Sequence, residues 1–523
     1  GAARSPSRVA QLSVGMSRAR NLILPLTRRA AWAVPKARSF SSVSTVPEEE
    51  LYSGGLLTGF RKNYCGPLPP SYELDTSLLR LPPTKVTTLS NGMRVATETT
   101  PGHSVSVGVF IKSGSRYETE DSNGSAHFLE HMFFKGSKNK SQAELETATE
   151  NMGCRLNAYT SREQTVYYAN VLKEDVGEAV NTLSEMLLNS KFDPGAIERE
   201  KRTILQEMEE VEKVHEEVVF DNLHYTAYQT SPLGRTILGT EQNIREMTRD
   251  RIVNYIQANY VASRIVVVAA GNVQHEEFAN MVDKAFSATP TEPSGPSIIT
   301  DNLPAHFTGS DIRVRDDDAP LAHIATAWET VELTHADSPA TMVMQAMLGS
   351  FDQSLHGAVH SGSKMISVLA GENEREYALA QSAMTFNTQY SDTGLFGVYY
   401  VTELDNVYEC QWAVMREFQR LCHNATDESV ELAKKQLKAT IVGQLDSNLS
   451  QVCEDIGRQM LNYGRRMSLA EMFARIDAVD APTIRRVATD LFNDKCIAVS
   501  AKGSTSSLPD YNWIRRHTWS LRY

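Results

Sequence analysis

The sequence predicts an α+β fold made of two duplicated domains, and three observations carry that expectation. At 523 residues the chain exceeds a single ordinary hydrophobic core. Strand-like segments alternate with amphipathic helical ones. The second half then repeats, in order, features of the first.

Taken from the N-terminus, residues 1–40 stand apart. Arg4, Arg8, Arg18, Arg20, Arg28, Arg29, Lys36 and Arg38 supply eight positive charges, and no acid precedes Glu48. An Arg- and Ser-rich, acid-free, amphipathic leader is the signature of a mitochondrial transit peptide, with Arg38-Ser39-Phe40-Ser41 resembling its cleavage site. A basic arm for nucleic acid is the competing reading. Without this leader the net charge falls from −12 to −20, which suits cationic partners and argues against nucleic acid. Residues 41–84, with six prolines and a glycine pair, read as an irregular extension over the body.

From residue 85 the β signal begins. Asn91-Gly92 between two apolar runs predicts a hairpin. Val105, Val107, Val109 and Ile111 alternate with other residues, predicting a half-buried strand. Ser125 is the expected N-cap of a helix that Gly136 closes. Residues 141–152 predict a second helix, 155–171 paired strands and 176–189 another helix. Asp193-Pro194 opens a long helix, with aspartate as cap and proline in the first turn. A short buried strand is expected over 264–270, and the prolines between 290 and 304 mark a linker. Six cysteines without a C-x-x-C pair read as buried thiols in a reducing space. No apolar run approaches the ~20 residues of a transmembrane helix.

In the second half, Phe386-Asn387 followed by Val398-Tyr399-Tyr400 echoes Leu156-Asn157 followed by Val166-Tyr167-Tyr168. The helix around Glu431–Lys435 echoes the one around Glu198–Arg202, setting Ala433 opposite Glu200 and Thr440 opposite Glu207.

The chemistry concentrates in His127-Phe128-Leu129-Glu130-His131. On a helix, His127, Glu130, His131 and Phe134 share one face of an otherwise apolar segment. Ionisable groups in such a setting need compensation, and a cation provides it. Two histidines one turn apart can both reach zinc, leaving the glutamate to act on water. Two core histidines hydrogen-bonded to their neighbours are the plainer alternative. The stretch 340–349, at the equivalent place in the second half, has no histidine. Fold requirements act on both copies, so residues confined to one are chemical rather than structural. Glu200 and Glu207 lie two turns apart on the long helix and share a face.

His127 to His131, Leu156-Asn-Ala-Tyr-Thr-Ser-Arg-Glu-Gln-Thr165, Ile204-Leu-Gln-Glu-Met-Glu-Glu-Val211 and Ser231-Pro-Leu-Gly-Arg-Thr-Ile-Leu-Gly239 together resemble the pitrilysin-like H-x-x-E-H metallopeptidases. Within that family the likeness, over residues 80–510, is to the β-subunit branch of the mitochondrial processing peptidases. The seventy-six residues from His131 to Glu207 match the family spacing. The resemblance implies two domains, each a mainly antiparallel sheet covered by helices: a catalytic domain over 85–289, a linker over 290–309 and a degenerate copy over 310–523. It implies one Zn2+ held by His127, His131 and Glu207, with Glu130 as general base and Glu200 as a supporting carboxylate. Glu217 and Asp221 fall where the family receives the arginine near the cut. Phe134 falls where an aromatic meets the residue after it, and Asn157, Ala158 and Tyr159 lie on the strand edge that a substrate joins. The implied partners are presequence peptides and an α subunit that brings a glycine-rich loop, since 350–361 holds few glycines. Cytochrome bc1 (complex III) subunits are implied as well, and the implied location is the mitochondrial matrix or the matrix side of the inner membrane. A non-catalytic complex III core subunit and a broad peptide scavenger are the alternatives.

Overall fold

A computed structural model describes residues 82–294, 304–354, 363–371 and 378–519. The expected leader, nearly all of the 41–84 extension and part of the linker lie outside the described residues.

The first-half strands form where the sequence predicts them. In the first half these are β1 (Lys85–Thr88), β2 (Arg94–Thr99), β3 (Ser104–Ile111), β4 (Arg155–Thr160), β5 (Thr165–Leu172) and β6 (Ile265–Gly271). They make one sheet in the order β1-β2-β6-β3-β5-β4. The second half supplies β7 (Ser310–Arg315), β8 (Ala322–Glu329), β9 (Ser350–Asp352), β10 (Ser382–Gln389), β11 (Gly394–Thr402) and β12 (Ile497–Gly503), ordered β7-β12-β8-β11-β10-β9. The run β2-β6-β3-β5-β4 therefore has its copy in β7-β12-β8-β11-β10. Each sheet holds one parallel pair, β2 with β6 and β7 with β12, and is otherwise antiparallel. The expected duplication is thus visible strand by strand.

The helices repeat too. The first half has α1 (Ser125–Phe133), α2 (Gln142–Asn151), α3 (Val176–Asn189), α4 (Pro194–Val211) and α5 (His215–Ala227). The second has α6 (Ser338–Leu348) at the place of α1, α7 (Val407–Asn424) at that of α3, α8 (Asp427–Ser447) at that of α4 and α9 (Leu449–Asn462) at that of α5. One face of each sheet packs on its own half's helices.

The other face is covered by exchange. α9 lies across the first sheet, where Val452, Cys453, Ile456 and Met460 meet Phe110, Val166, Val266 and Val268. α5 lies across the second, where Val219, Leu223 and Tyr228 meet Ala325, Ala327, Tyr399 and Ala498. β3 is accordingly buried on both faces, not the one face expected. Its valines point to one core, while Phe110 points to α9 and meets Gly457, where a Cβ would stand 2.4 Å from the ring. Each half thus completes the other, and the two pack as one compact unit.

Local expectations mostly hold. Gly92 takes the positive φ of the predicted hairpin. Asp193 caps α4 through the Ala196 N–H. Ser141 closes a capping box with Glu144. Of the five described cysteines, Cys410, Cys422 and Cys453 are buried thiols, but Cys154 is half-buried and Cys496 exposed, contrary to expectation.

Candidate metal centre

α1 begins differently from expectation. Gly124, at φ +99°, occupies the cap position and Ser125 is the first helical residue, its hydroxyl donating to Ser122 O. The capping acceptor is Glu118, a residue not singled out from the sequence. Its carboxylate accepts from the N–H of Gly124 at 3.0 Å and of Ala126 at 2.7 Å, and from Asn123 Nδ2 at 2.8 Å. Behind this turn sits the Ser231–Gly239 segment. A Cβ on Gly239 would come within 2.6 Å of Gly124 Cα, so the two glycines permit a backbone contact that no side chain would allow. Arg235 donates to Glu118 O, and Asn123 donates to Thr236 O. That glycine-bearing stretch therefore seats the start of α1. The helix ends on Phe134, and Gly136, at φ +103°, turns the chain two residues later.

Seated this way, α1 buries His127, Phe128, Leu129, Met132 and Phe133 and leaves Glu130 and His131 half-buried. α4 crosses beside it and brings Glu207 between the two imidazoles. His127 Nε2 is 3.8 Å from Glu207 Oε1, and His131 Nε2 is 3.4 Å from Glu207 Oε2. One ligand atom from each of the three lies within 4.8 Å of the others. Such separations are long for hydrogen bonds. They approach the ~3.4 Å between neighbouring ligand atoms of a tetrahedral ion bound at about 2.0–2.1 Å. Two imidazoles and a carboxylate are also the donor set of a metal site with one position left open. The three residues fit a divalent cation.

The electrostatics set the two histidines apart. Burial drives the His127 imidazole down to about 4, so it stands neutral, the form that ligates. Burial also works against protonation of His131, but Glu200 and Glu207 outweigh it and lift this group to about 9. Burial opposes the charge on Glu207, yet His131 and His127 hold its carboxyl below the usual range. Glu200, two turns earlier on α4, accepts from His131 Nδ1 at 3.3 Å and from Lys135 Nζ at 2.8 Å. It fixes the ring orientation of His131, as the outer partner of a ligating histidine does. Lys135 was not expected; only the folded contact reveals it.

Glu130 accepts from Thr160 Oγ1 at 2.7 Å. Burial pushes its carboxyl up, opposed first by that hydroxyl. Thr160 ends β4, the last strand of the first sheet, which pairs with β5 on one side only. Asn157, Ala158 and Tyr159 lie on this edge. The Ala158 N–H is met by Asn157 Oδ1 at 2.9 Å, and Tyr159 donates to Glu454 of α9 at 3.1 Å. Phe134, at the end of α1, packs partly buried against the first core.

Glu217 and Asp221 both lie on α5, but their carboxylates are not equivalent. Asp221 Oδ1 accepts from the chain's own Arg162 Nη2 at 2.5 Å, which the spacing did not foretell. Glu217 is raised by burial and then by the nearby carboxylates of Glu216, Glu207 and Asp221. At the matching place in the second half, α6 carries no histidine and α8 carries Ala433 and Thr440 where α4 carries Glu200 and Glu207.

Residues 94–241 match the insulinase family of peptidases, family M16, and residues 246–437 match the inactive domain of the same family. The chain belongs to peptidase family M16. Among curated M16 relatives it is 49% identical over 447 residues to a probable mitochondrial-processing peptidase subunit beta of Arabidopsis thaliana, covering 85% of this chain and 83% of that one. It is 47% identical to the mitochondrial-processing peptidase subunit beta of Neurospora crassa, with 88% and 95% coverage. The human protein of that name is 45% identical, with 85% and 89% coverage. Among solved structures, a chain of Complex III2 from Candida albicans superposes with a TM-score of 0.72 at 26% identity, covering 83% of this chain and all of that one. A match to the peptidase family followed by a match to its inactive domain parallels the one-sided distribution of the candidate ligands.

Proposed function

We propose that this M16 peptidase is a zinc metalloendopeptidase, the β subunit of a mitochondrial processing peptidase that removes presequences from imported precursors. One observation carries the reading. His127, His131 and Glu207 converge within 4.8 Å in one repeat, while the other repeat lacks all three.

His127, His131 and Glu207 would hold the ion, which when bound supplies a Lewis acid for water and for the scissile carbonyl. Glu200 keeps His131 turned so that Nε2 faces the site. Glu130, held by Thr160, takes the proton of the attacking water and returns it to the leaving amine. The open edge of β4, at Asn157, Ala158 and Tyr159, pairs with an extended peptide through backbone groups, which tolerates varied sequences. Glu217 and Asp221 receive a basic side chain near the cut, and Phe134 meets the residue beyond it. A separate α subunit completes the enzyme, and the acidic body suits cationic presequences.

The likeness to a Complex III2 chain supports a second role, as a core subunit on the matrix side of the inner membrane. None of the described helices is long and apolar enough to cross a membrane, so attachment there would come through cytochrome bc1 partners.

The test compares wild type with Glu130→Gln in the reconstituted heterodimer. Zinc content should stay near one per chain in both, while presequence cleavage falls by about 10²–10⁴-fold in the variant. Chelation should abolish cleavage by wild type, and zinc should restore it. Normal turnover in Glu130→Gln, or wild-type protein free of bound metal, would end the proposal.

A further inference from the structure

We propose that Arg162 is a positioning residue that orients the Asp221 carboxylate toward the substrate's cationic side chain. The inference rests on the reading that Glu217 and Asp221 receive that side chain.

Arg162 lies in the turn between β4 and β5 and is only 9% exposed, whereas the Asp221 side chain is 40% exposed. Their contact commits Asp221 Oδ1 to a guanidinium inside the fold. Oδ2 has no partner among the described residues and stays available. A guanidinium only donates, so Oδ1 is the accepting partner of this contact. A carboxylate fixed at one oxygen presents the other in a single direction.

Beside Arg162 a hydrogen-bonded series joins α5 to the second half. The Tyr390 hydroxyl lies 2.8 Å from His224 Nε2, and His224 Nδ1 lies 2.7 Å from Phe220 O. A backbone carbonyl only accepts, so Nδ1 carries the proton and Nε2 is the acceptor. The hydroxyl of Tyr390 must then donate to His224. Burial keeps His224 neutral, as this order of donors requires. Phe220, Asp221 and His224 all belong to α5, so the helix that carries Asp221 is tied through His224 to Tyr390, which follows β10 in the second half.

The neighbouring residue anchors the same turn. Glu163 accepts from Ser391 N at 3.0 Å and from Ser391 Oγ at 2.6 Å. The turn that delivers Thr160 to Glu130 thus also delivers Arg162 to Asp221, and the second half holds it in place. Glu217, by contrast, has no hydrogen-bond partner among the described residues. The site therefore offers one anchored carboxylate and one without a hydrogen-bond partner among the described residues.

The test uses the complete metal-loaded enzyme and two fluorogenic peptides, one with arginine near the cut and one with norleucine there. For the arginine peptide, Arg162→Gln should raise KM about tenfold with kcat within twofold, the scale of one charge-assisted contact. The norleucine peptide should respond less than twofold to the same change. Arg162→Lys, which keeps the charge but loses the fork, should give an intermediate KM. Asp221→Asn combined with Arg162→Gln should equal Asp221→Asn alone. Equal losses on both peptides, or additive losses in the double variant, would overturn the positioning role. If Asp221→Asn and Glu217→Gln leave the arginine preference intact, the recognition reading fails and this proposal falls with it. If those two abolish the preference while Arg162→Gln keeps it, only the positioning role fails.

Discussion

Replacing Arg116 by methionine should loosen the join between the two halves of the chain. Arg116 precedes α1 and is 5% exposed. Its Nη1 and Nη2 form a fork on Asp392, at 2.7 and 2.6 Å, and Nη1 also reaches Glu163 at 2.7 Å. Removing one partner of a buried ion pair costs about 3–5 kcal/mol, because the remaining charge is stranded. Here the cost is moderated. Glu163 keeps its contacts with Ser391, Asp392 keeps the Ala305 N–H at 2.9 Å, and the Asp392 side chain is 28% exposed. We expect a loss of about 2–4 kcal/mol, read from the urea midpoint at unchanged slope. Methionine fills most of the volume, so the loss reports charge rather than a cavity. Neutralising both acids as well, in Arg116→Met with Glu163→Gln and Asp392→Asn, should recover most of it. A midpoint shift equivalent to less than about 0.5 kcal/mol, or a triple variant no better than the single, would show that the cluster does not join the halves.

Two further changes probe the exchange of helices and the acid limb of stability. Gly457→Ala would place a methyl 2.4 Å from the Phe110 ring and should cost about 1–3 kcal/mol in thermal or urea unfolding. Adding Phe110→Leu should return part of that loss; a neutral Gly457→Ala would mean that α9 does not seat against β3. Glu471 is 7% exposed and accepts from Arg465 and Arg475. Burial opposes its charge, but the two guanidiniums outweigh burial and hold its carboxyl below the usual glutamate range. A depressed folded pKa gives stability that is present above the unfolded value of about 4.3 and is lost as pH falls through the folded one. Glu471→Gln should therefore melt lower than wild type at pH 7, and the gap should close toward pH 3. A gap that stays constant with pH would refute this assignment.

Much of the site could be read from the sequence because its geometry is local. Two histidines four residues apart on a helix share a face whatever the helix packs against, and Glu130 follows from the same periodicity. The absence of these residues from the second copy was equally visible. Asp193 and Asn91-Gly92 marked their elements because caps and tight turns involve neighbours in the chain. Ser125 misled for the converse reason. The true capping acceptor, Glu118, reaches back from outside the helix, and a positive-φ glycine takes the cap position.

What periodicity could not convey was which faces meet. A strand patterned V-x-V-x-V looks half-buried until a helix from the far half covers its other side, and Phe110 with Gly457 is where that happens. The same exchange places α5, with Glu217 and Asp221, on the second sheet, so part of the candidate substrate site depends on residues about 170 positions away. Asp221 and Glu217 look alike as two acids one turn apart. Only packing distinguishes them, because a buried Arg162 claims one and leaves the other free. Side-chain type and spacing determined the chemistry on offer; long-range packing and desolvation decided how each group is held.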